Sequence, residues 1–277
     1  MHSFRKGRLI LLILLTAATS LTATAKICTP PPERNGLFHV DSQSAVDKLA
    51  KRCTTINGSL HIARNYTGSF YLPHVRNISG NIEWGHYLDS EKPKPSSLNL
   101  PDLEYLGSSI PLNGLPTLTI LSMPKLKTLG GDINIDYAHE VDFRSLETAD
   151  SVDFKGNISE LRLDSLREVN EKLQICNSDV CDPAIPPVGP LDISLPSLQS
   201  VGSVKLKGRI SSLEVPSLTS VTGNKEDYYY GFEFSTSGGP TANLTFPRLS
   251  SLFGPLYLSG DMPEHLLTNK TTVVKFT

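Results

Sequence analysis

The sequence predicts an all-β chain wound into a parallel β-solenoid, with stacked coils in place of one globular core. Three observations carry that prediction: an apolar four-position pattern recurs nine times, β-branched and aromatic residues fill short alternating runs, and Pro or Gly punctuates the ends of those runs. The copies are Cys53/Ile56/Leu60/Ile62, Val75/Ile78/Ile82/Trp84, Leu103/Leu106/Ile110/Leu112, Leu126/Leu129/Ile133/Ile135, Leu146/Ala149/Val152/Phe154, Leu166/Val169/Leu173/Ile175, Leu198/Val201/Val204/Leu206, Leu218/Val221 with Phe232/Phe234 after an insertion, and Leu249/Leu252/Leu256/Leu258. Successive copies stand 20 to 32 residues apart, as expected of a coil of about twenty residues that carries longer inserts.

A second alternating run precedes each copy, as in Leu98-Asn99-Leu100, Leu161-Arg162-Leu163, Leu213-Glu214-Val215 and Leu244-Thr245-Phe246. Each unit is therefore expected to hold two short strands. Alternation turns the apolar side chains to one face, and Pro marks the turn that follows, as at Leu100-Pro101, Met123-Pro124 and Val215-Pro216. One such pair cannot bury its own face; stacked in parallel register about 4.8 Å apart, every apolar residue gains a neighbour above and below.

Ahead of the repeats, residues 1–25 have the layout of a secretory signal: Arg5, Lys6 and Arg8, then the apolar run Leu9 to Leu15, then Ala23-Thr24-Ala25 before cleavage. That run is too short to span a bilayer, and the remaining chain carries 23 basic against 28 acidic residues, a formal charge of −5, which argues against nucleic acid or anionic lipid as a partner. Asp41 to Arg52 has helix signals at both ends, Asp41 and Ser42 at the start and Lys51 and Arg52 at the finish, and is expected to cap the first coil. The organisation read from the chain is a signal peptide at 1–25, an N-terminal cap with disulfide and helix at 26–60, β-solenoid repeats at 61–260 and a C-terminal cap or tail at 261–277.

An oxidising compartment favours paired cysteines. Four cysteines allow three connectivities, and proximity along the chain favours Cys28 with Cys53 and Cys176 with Cys181. Six N-glycosylation sequons are present, at Asn57, Asn65, Asn77, Asn157, Asn243 and Asn269, and the first three crowd the first two coils.

The block Cys28, then His39-Val40-Asp41-Ser42-Gln43-Ser44-Ala45-Val46-Asp47-Lys48-Leu49, then Cys53-Thr54-Thr55-Ile56-Asn57-Gly58-Ser59-Leu60-His61-Ile62, followed by Leu-Pro-x-Leu units, resembles the fungal GPI-anchored cell-wall-organisation and sporulation-specific proteins with receptor L-domain-like leucine-rich repeats. The resemblance covers roughly residues 26 to 260. It implies a right-handed, L-domain-like parallel β-helix in a secreted wall or membrane-surface glycoprotein, with no enzymatic activity and no cofactor. Members of that family continue into a Ser/Thr-rich stalk and a GPI signal, whereas the final residues Thr271 to Thr277 do not read as one, which keeps a freely secreted partner-binding protein as an alternative.

Parallel β-helices also carry polysaccharide-degrading enzymes, and inverting hydrolysis needs two carboxylates about 6.5–9.5 Å apart. The nearest groupings are Asp132/Asp136 and Glu140/Asp142, read as solvated coil faces; no adjacent Asp pair, Gly-x-Ser-x-Gly elbow or His-Glu-x-x-His metal site occurs. The seven histidines show no metal-ligand spacing and read as surface residues. The segment most suited to a partner is the insertion with Tyr228, Tyr229 and Tyr230, since three consecutive rings cannot all face inwards from one strand. Trp84 falls on an inner repeat position. The chain is thus expected to be a non-catalytic glycoprotein of the fungal cell surface, presenting sheet faces to wall polysaccharide such as β-glucan or to other surface proteins.

Overall fold

The computed structural model of the chain describes residues 26–85, 91–178, 181, 189–223, 231–237, 240–260 and 272–274. These form a parallel β-solenoid. Each coil has three strands where two were expected, because the four-position pattern divides between two faces. Its second position lies in a two-residue strand, as in Thr55–Ile56, Asn77–Ile78 and Tyr105–Leu106, and its third and fourth positions lie in or beside the next strand, as in Ser59–Ile62 and Ile133–Ile135. Two residues are too few to display alternation, so only pairing with the coils on either side makes that segment a strand.

Register is kept over long runs of the stack, although Leu37–Val40, Ser59–Ile62 and Ile82–Glu83 form a sheet of their own at the start of the second face. Cys28, Ile56, Ile78 and Leu106 are successive partners on the first face. Ile133, Val152, Leu173, Val204, Phe232 and Leu256 follow one another on the second. The insertion before Phe232 is thus absorbed without loss of register. In the middle coils the first two strands fuse into bent strands, Thr148–Lys155, Glu168–Asn177 and Ser200–Gly208, with register shifts after Ala149 and Val169 that let one strand turn a corner. The third face is divided: Thr67–Tyr71, Lys94–Asn99, Ile120–Ser122, Glu140–Asp142 and Glu160–Arg162 form one sheet, and Leu191–Ser194, Ile210–Glu214 and Asn243–Thr245 another. Along the chain the division falls between Arg162 and Leu191, and the disulfide Cys176–Cys181, with Cα atoms 5.0 Å apart, lies in that interval.

The inner side chains fill the coil. Ile56, Leu60, Ile78, Leu106, Phe154, Leu173 and Phe234 are fully buried, each contributing about 1.5–3 kcal/mol of apolar transfer energy. Corners are made by the Leu-Pro-x-Leu turns, in which the fourth residue donates its N–H to the first carbonyl, as from Leu126 to Met123 (3.1 Å) and Leu218 to Val215 (3.2 Å). Proline fits the second position of such a turn because its φ is already set there. At the opposite corner the rungs come so close that a Cβ on Gly130 would collide with the Gly107 carbonyl, and one on Gly107 with that of Ser79.

The N-terminal segment contributes rungs of its own before the first repeat: Ile27–Cys28 on the first face and Leu37–Val40 on the second. In place of a third strand comes the helix Gln43–Arg52, N-capped by the Ser42 hydroxyl and burying Val46. The Gln43 side-chain amide then acts as a strand would towards Thr67–Tyr71: its Nε2 donates to the Tyr71 carbonyl (2.7 Å) and its Oε1 accepts from the Tyr71 N–H (2.9 Å). The single proton of the Tyr66 hydroxyl lies within reach of two acceptors, the Ser69 carbonyl (2.9 Å) and Gln43 Oε1 (3.1 Å); burial and then the Asp47 charge push its pKa up to about 12. Cys28–Cys53 joins the first rung to the residue that ends the helix, with Cα atoms 5.6 Å apart. At the far end Thr272–Val274 lies antiparallel beside Leu256–Gly260.

Candidate functional site

Since the inner faces are filled, function falls to the outward positions, which register arranges in columns. On the third face one column runs Ser69, Ser97, Ile120, Glu140, Glu160 and the next runs Tyr71, Asn99, Ser122, Asp142, Arg162. The first three members of both columns are uncharged. They form a patch of hydroxyl groups and the Asn99 amide, whose Oδ1 is buried, with two exposed apolar surfaces, Tyr71 at 46% and Ile120 at 37%. An amphipathic ring beside hydroxyls and amides suits stacking on a sugar or packing in a protein contact. Beyond it the face becomes charged and self-paired, with Arg144 chelating Asp142 (2.9 and 2.5 Å) and Arg162 bonded to Glu160 (2.5 Å).

The carboxylates singled out from the sequence do not assemble a hydrolytic pair. Asp132 and Asp136 flank the strand Ile133–Ile135; four residues of extended chain separate them by about 13 Å, beyond glycosidase spacing. Asp136 accepts from the Gly114 N–H (2.9 Å) and pairs with Lys155 (3.3 Å), so its role is to close a corner. Glu140 and Asp142 share a face at about 7 Å, yet Asp142 is engaged by Arg144. Burial alone would raise the Asp142 pKa, but the side-chain and backbone bonds from Arg144 outweigh it and the group is held below the usual range. Asp102 is held low by Lys125 and the His74 N–H, and Asp192 by the Ser211 and Ser212 hydroxyls. A general acid for glycoside cleavage needs the opposite shift.

Adjacency across rungs brings together groups that the linear sequence keeps apart. Asp153, 7% exposed, receives Lys172 (3.3 Å), Lys155 (3.5 Å) and the Gln174 amide (2.9 Å), all on the second face. Asn177 is fully buried: its Oδ1 accepts from the Ile158 N–H (2.9 Å) and its Nδ2 donates to the carbonyls of Gly189 and Arg209 (3.0 and 2.8 Å), tying three segments at one corner. His39 and His61 stand side by side, a placement that the surface reading of the histidines did not anticipate. The signal for the Asp153–Lys172, Asp153–Gln174, Asn177–Ile158 and His39–His61 contacts was the coil length, since residues one coil apart become neighbours. Among the described residues no three His, Cys, Asp or Glu side chains already converge on one point as metal ligands.

Trp84 is 4% exposed, with its ring N–H donated to the Asn113 carbonyl (3.2 Å), so it serves the core as its repeat position required. Of the sequon asparagines, Asn57 and Asn65 are exposed at corners of the first coil, Asn77 and Asn157 are half-buried, and Asn243 is exposed on a strand of the later third-face sheet. None of the five lies on a strand of the sheet that carries Tyr71 and Ile120. Asn269 and the tyrosines Tyr228, Tyr229 and Tyr230 lie outside the described residues, as does the leader. Among the described residues no helix is long and apolar enough to cross a membrane.

The chain is similar to protein ecm33 of Aspergillus fumigatus, with 25% identity over 243 residues. The alignment takes in 77% of this chain and 56% of that relative, so the chain spans little more than half the length of the curated protein it matches. No family model and no solved structure matches it.

Proposed function

We propose that the chain is a non-catalytic, secreted and N-glycosylated protein of the fungal cell surface, acting in cell-wall organisation by holding wall polysaccharide such as β-glucan against its third face. The likeness to a fungal ecm33 protein supports the cell-wall setting, in agreement with the resemblance read from the Cys28-to-Ile62 block. The observation that carries the binding reading is the uncharged outward patch of Ser69, Ser97, Ile120, Tyr71, Asn99 and Ser122, which offers neutral sugars hydrogen-bonding groups and apolar surface without an opposing charge. A strand-borne surface is stiff, so binding to it loses little conformational entropy. Carbohydrate on the five described sequons would leave these strands open.

The test is retention of the purified glycoprotein on insoluble β-glucan. Tyr71→Ala combined with Ile120→Ser is expected to lower retention at least fivefold with an unchanged circular dichroism spectrum. Equal retention of the double variant would remove the third face from the proposal, and absence of retention of the wild-type protein would remove polysaccharide as the partner.

A further inference from the structure

We propose that His39, His61 and Glu83 form a binding site for a transition-metal dication of the zinc or copper(II) class on the outward side of the second face. The three residues are register partners on successive rungs, Leu37–Val40, Ser59–Ile62 and Ile82–Glu83. Parallel rungs lie about 4.8 Å apart, and the two imidazole centroids are 4.7 Å apart with the rings tilted by 57°. Glu83 Oε1 is 3.8 Å from His61 Nδ1. That is too long for a hydrogen bond, and His61 Nδ1 is buried with no hydrogen-bond partner. A buried ring nitrogen left unpaired between a carboxylate and a second imidazole calls for a cause. A cation shared by the three groups supplies one.

The donor chemistry fits. Zinc takes imidazole nitrogen at about 2.0–2.1 Å and carboxylate oxygen at about 2.0–2.2 Å, so donors sharing an ion stand roughly 3–4 Å apart. The groups on these rungs reach that separation by turning rings and carboxylate, with the backbone register unchanged. The carboxylate is also held from behind: Asn81 Nδ2 donates to Glu83 Oε2 (3.1 Å), while Asn81 Oδ1 accepts from the Ser109 N–H (2.9 Å). This leaves Oε1 towards His61, and such outer hydrogen bonds are what orient metal ligands. Arg34 is the charge that works against a bound cation, and the side chains of His61 and Glu83 remain 19% and 26% exposed, so a turn of the imidazole is what would open Nδ1 to an ion from solvent. Metal-site spacings within one strand or helix do not reveal such a site, because its ligands recur once per coil.

The experiment is calorimetric titration of untagged, full-length protein with zinc chloride and copper(II) chloride at pH 7.5 and pH 5.5, with calcium and magnesium chloride as hard-cation controls. Expected are one zinc or copper ion per chain, copper tighter than zinc in line with the general affinity order, no response to calcium, and affinity at least tenfold weaker at the lower pH, where protons compete for the imidazoles. H39Q and H61Q should each weaken binding at least tenfold, E83Q should weaken it less, and H139Q should leave it unchanged. Copper electron paramagnetic resonance should show coupling to two imidazole nitrogens in the wild type and to one in H39Q. Absence of one-to-one binding, binding undiminished in H39Q, or an equal response to calcium would overturn the proposal. Should H61Q fail to fold, the exposed His39 position decides the matter.

Discussion

The two ends of the solenoid are closed by different means, and their burial differs accordingly. At the N-terminal end two extra rungs, a helix, a disulfide and the Gln43 amide cover the first repeat, and Ile56, Leu60 and Phe70 are all fully buried. At the other end Leu249 and Leu256 are only partly buried and Phe253 is 55% exposed, although the same four-position pattern is present. An inner residue of a stack is buried by the coils on both sides of it, so its contribution depends on its place in the stack as much as on its own chemistry.

Paired substitutions in one column test this most strongly. Leu173 and Leu256 occupy the same second-face column, linked through Val204 and Phe232. Leu173→Ala is expected to destabilise by about 3–5 kcal/mol and Leu256→Ala by about half as much, read from denaturant unfolding. Equal losses would mean that burial at the final coil is underestimated by its exposure in this fold.

Next in size is the covalent tie at the N-terminal end. Cys28–Cys53 closes a separation of 25 residues, and replacing both cysteines with alanine should cost roughly 3 kcal/mol on the chain-entropy estimate. The loss should be accompanied by faster amide exchange in Thr55–Ile56, the rung paired with Ile27–Cys28. A melting temperature unchanged within a degree would show that the helix and its packing hold this end without the bond.

The smallest effect concerns the edge itself. Gln43→Ala removes both bonds to the Tyr71 backbone while Tyr66 keeps the Ser69 carbonyl. Water can replace a partner at this exposed position, so a loss of about 1 kcal/mol is expected. The sharper readout is exchange at the Tyr71 amide, which should accelerate at least tenfold, while the Leu100 amide, bonded to the Ser122 carbonyl one coil further in, should stay as protected as before. Equal acceleration at both would mean that the third-face sheet opens as a unit and does not fray from its edge.

Much of this architecture is legible in the order of the residues. The four-position pattern identified the inner residues through the ninth copy, including Phe232 and Phe234 after their insertion, because an apolar side chain in a narrow coil has only one dry direction in which to point. The helix signals around Ser42 marked the helix that begins at Gln43, since an N-cap is a local arrangement of neighbouring backbone and side chain. The two-residue strands of the first face were not legible, because pairing alone defines them. The role of Gln43 was hidden for a similar reason: nothing local distinguishes a glutamine that replaces a strand from one that faces water.

Periodicity thus determined the class of fold, and proximity along the chain the pairing favoured for the four cysteines, both of which depend on the order of residues. Tertiary structure decided which outward residues share a column. It placed Tyr71 beside Asn99, Asp153 between two lysines, and His39 over His61 with Glu83 next in line. Those neighbourhoods depend on the exact length of every coil, inserts included, and the free energy that sets that length comes from inner side chains meeting across rungs, a property of the stack that no single repeat contains.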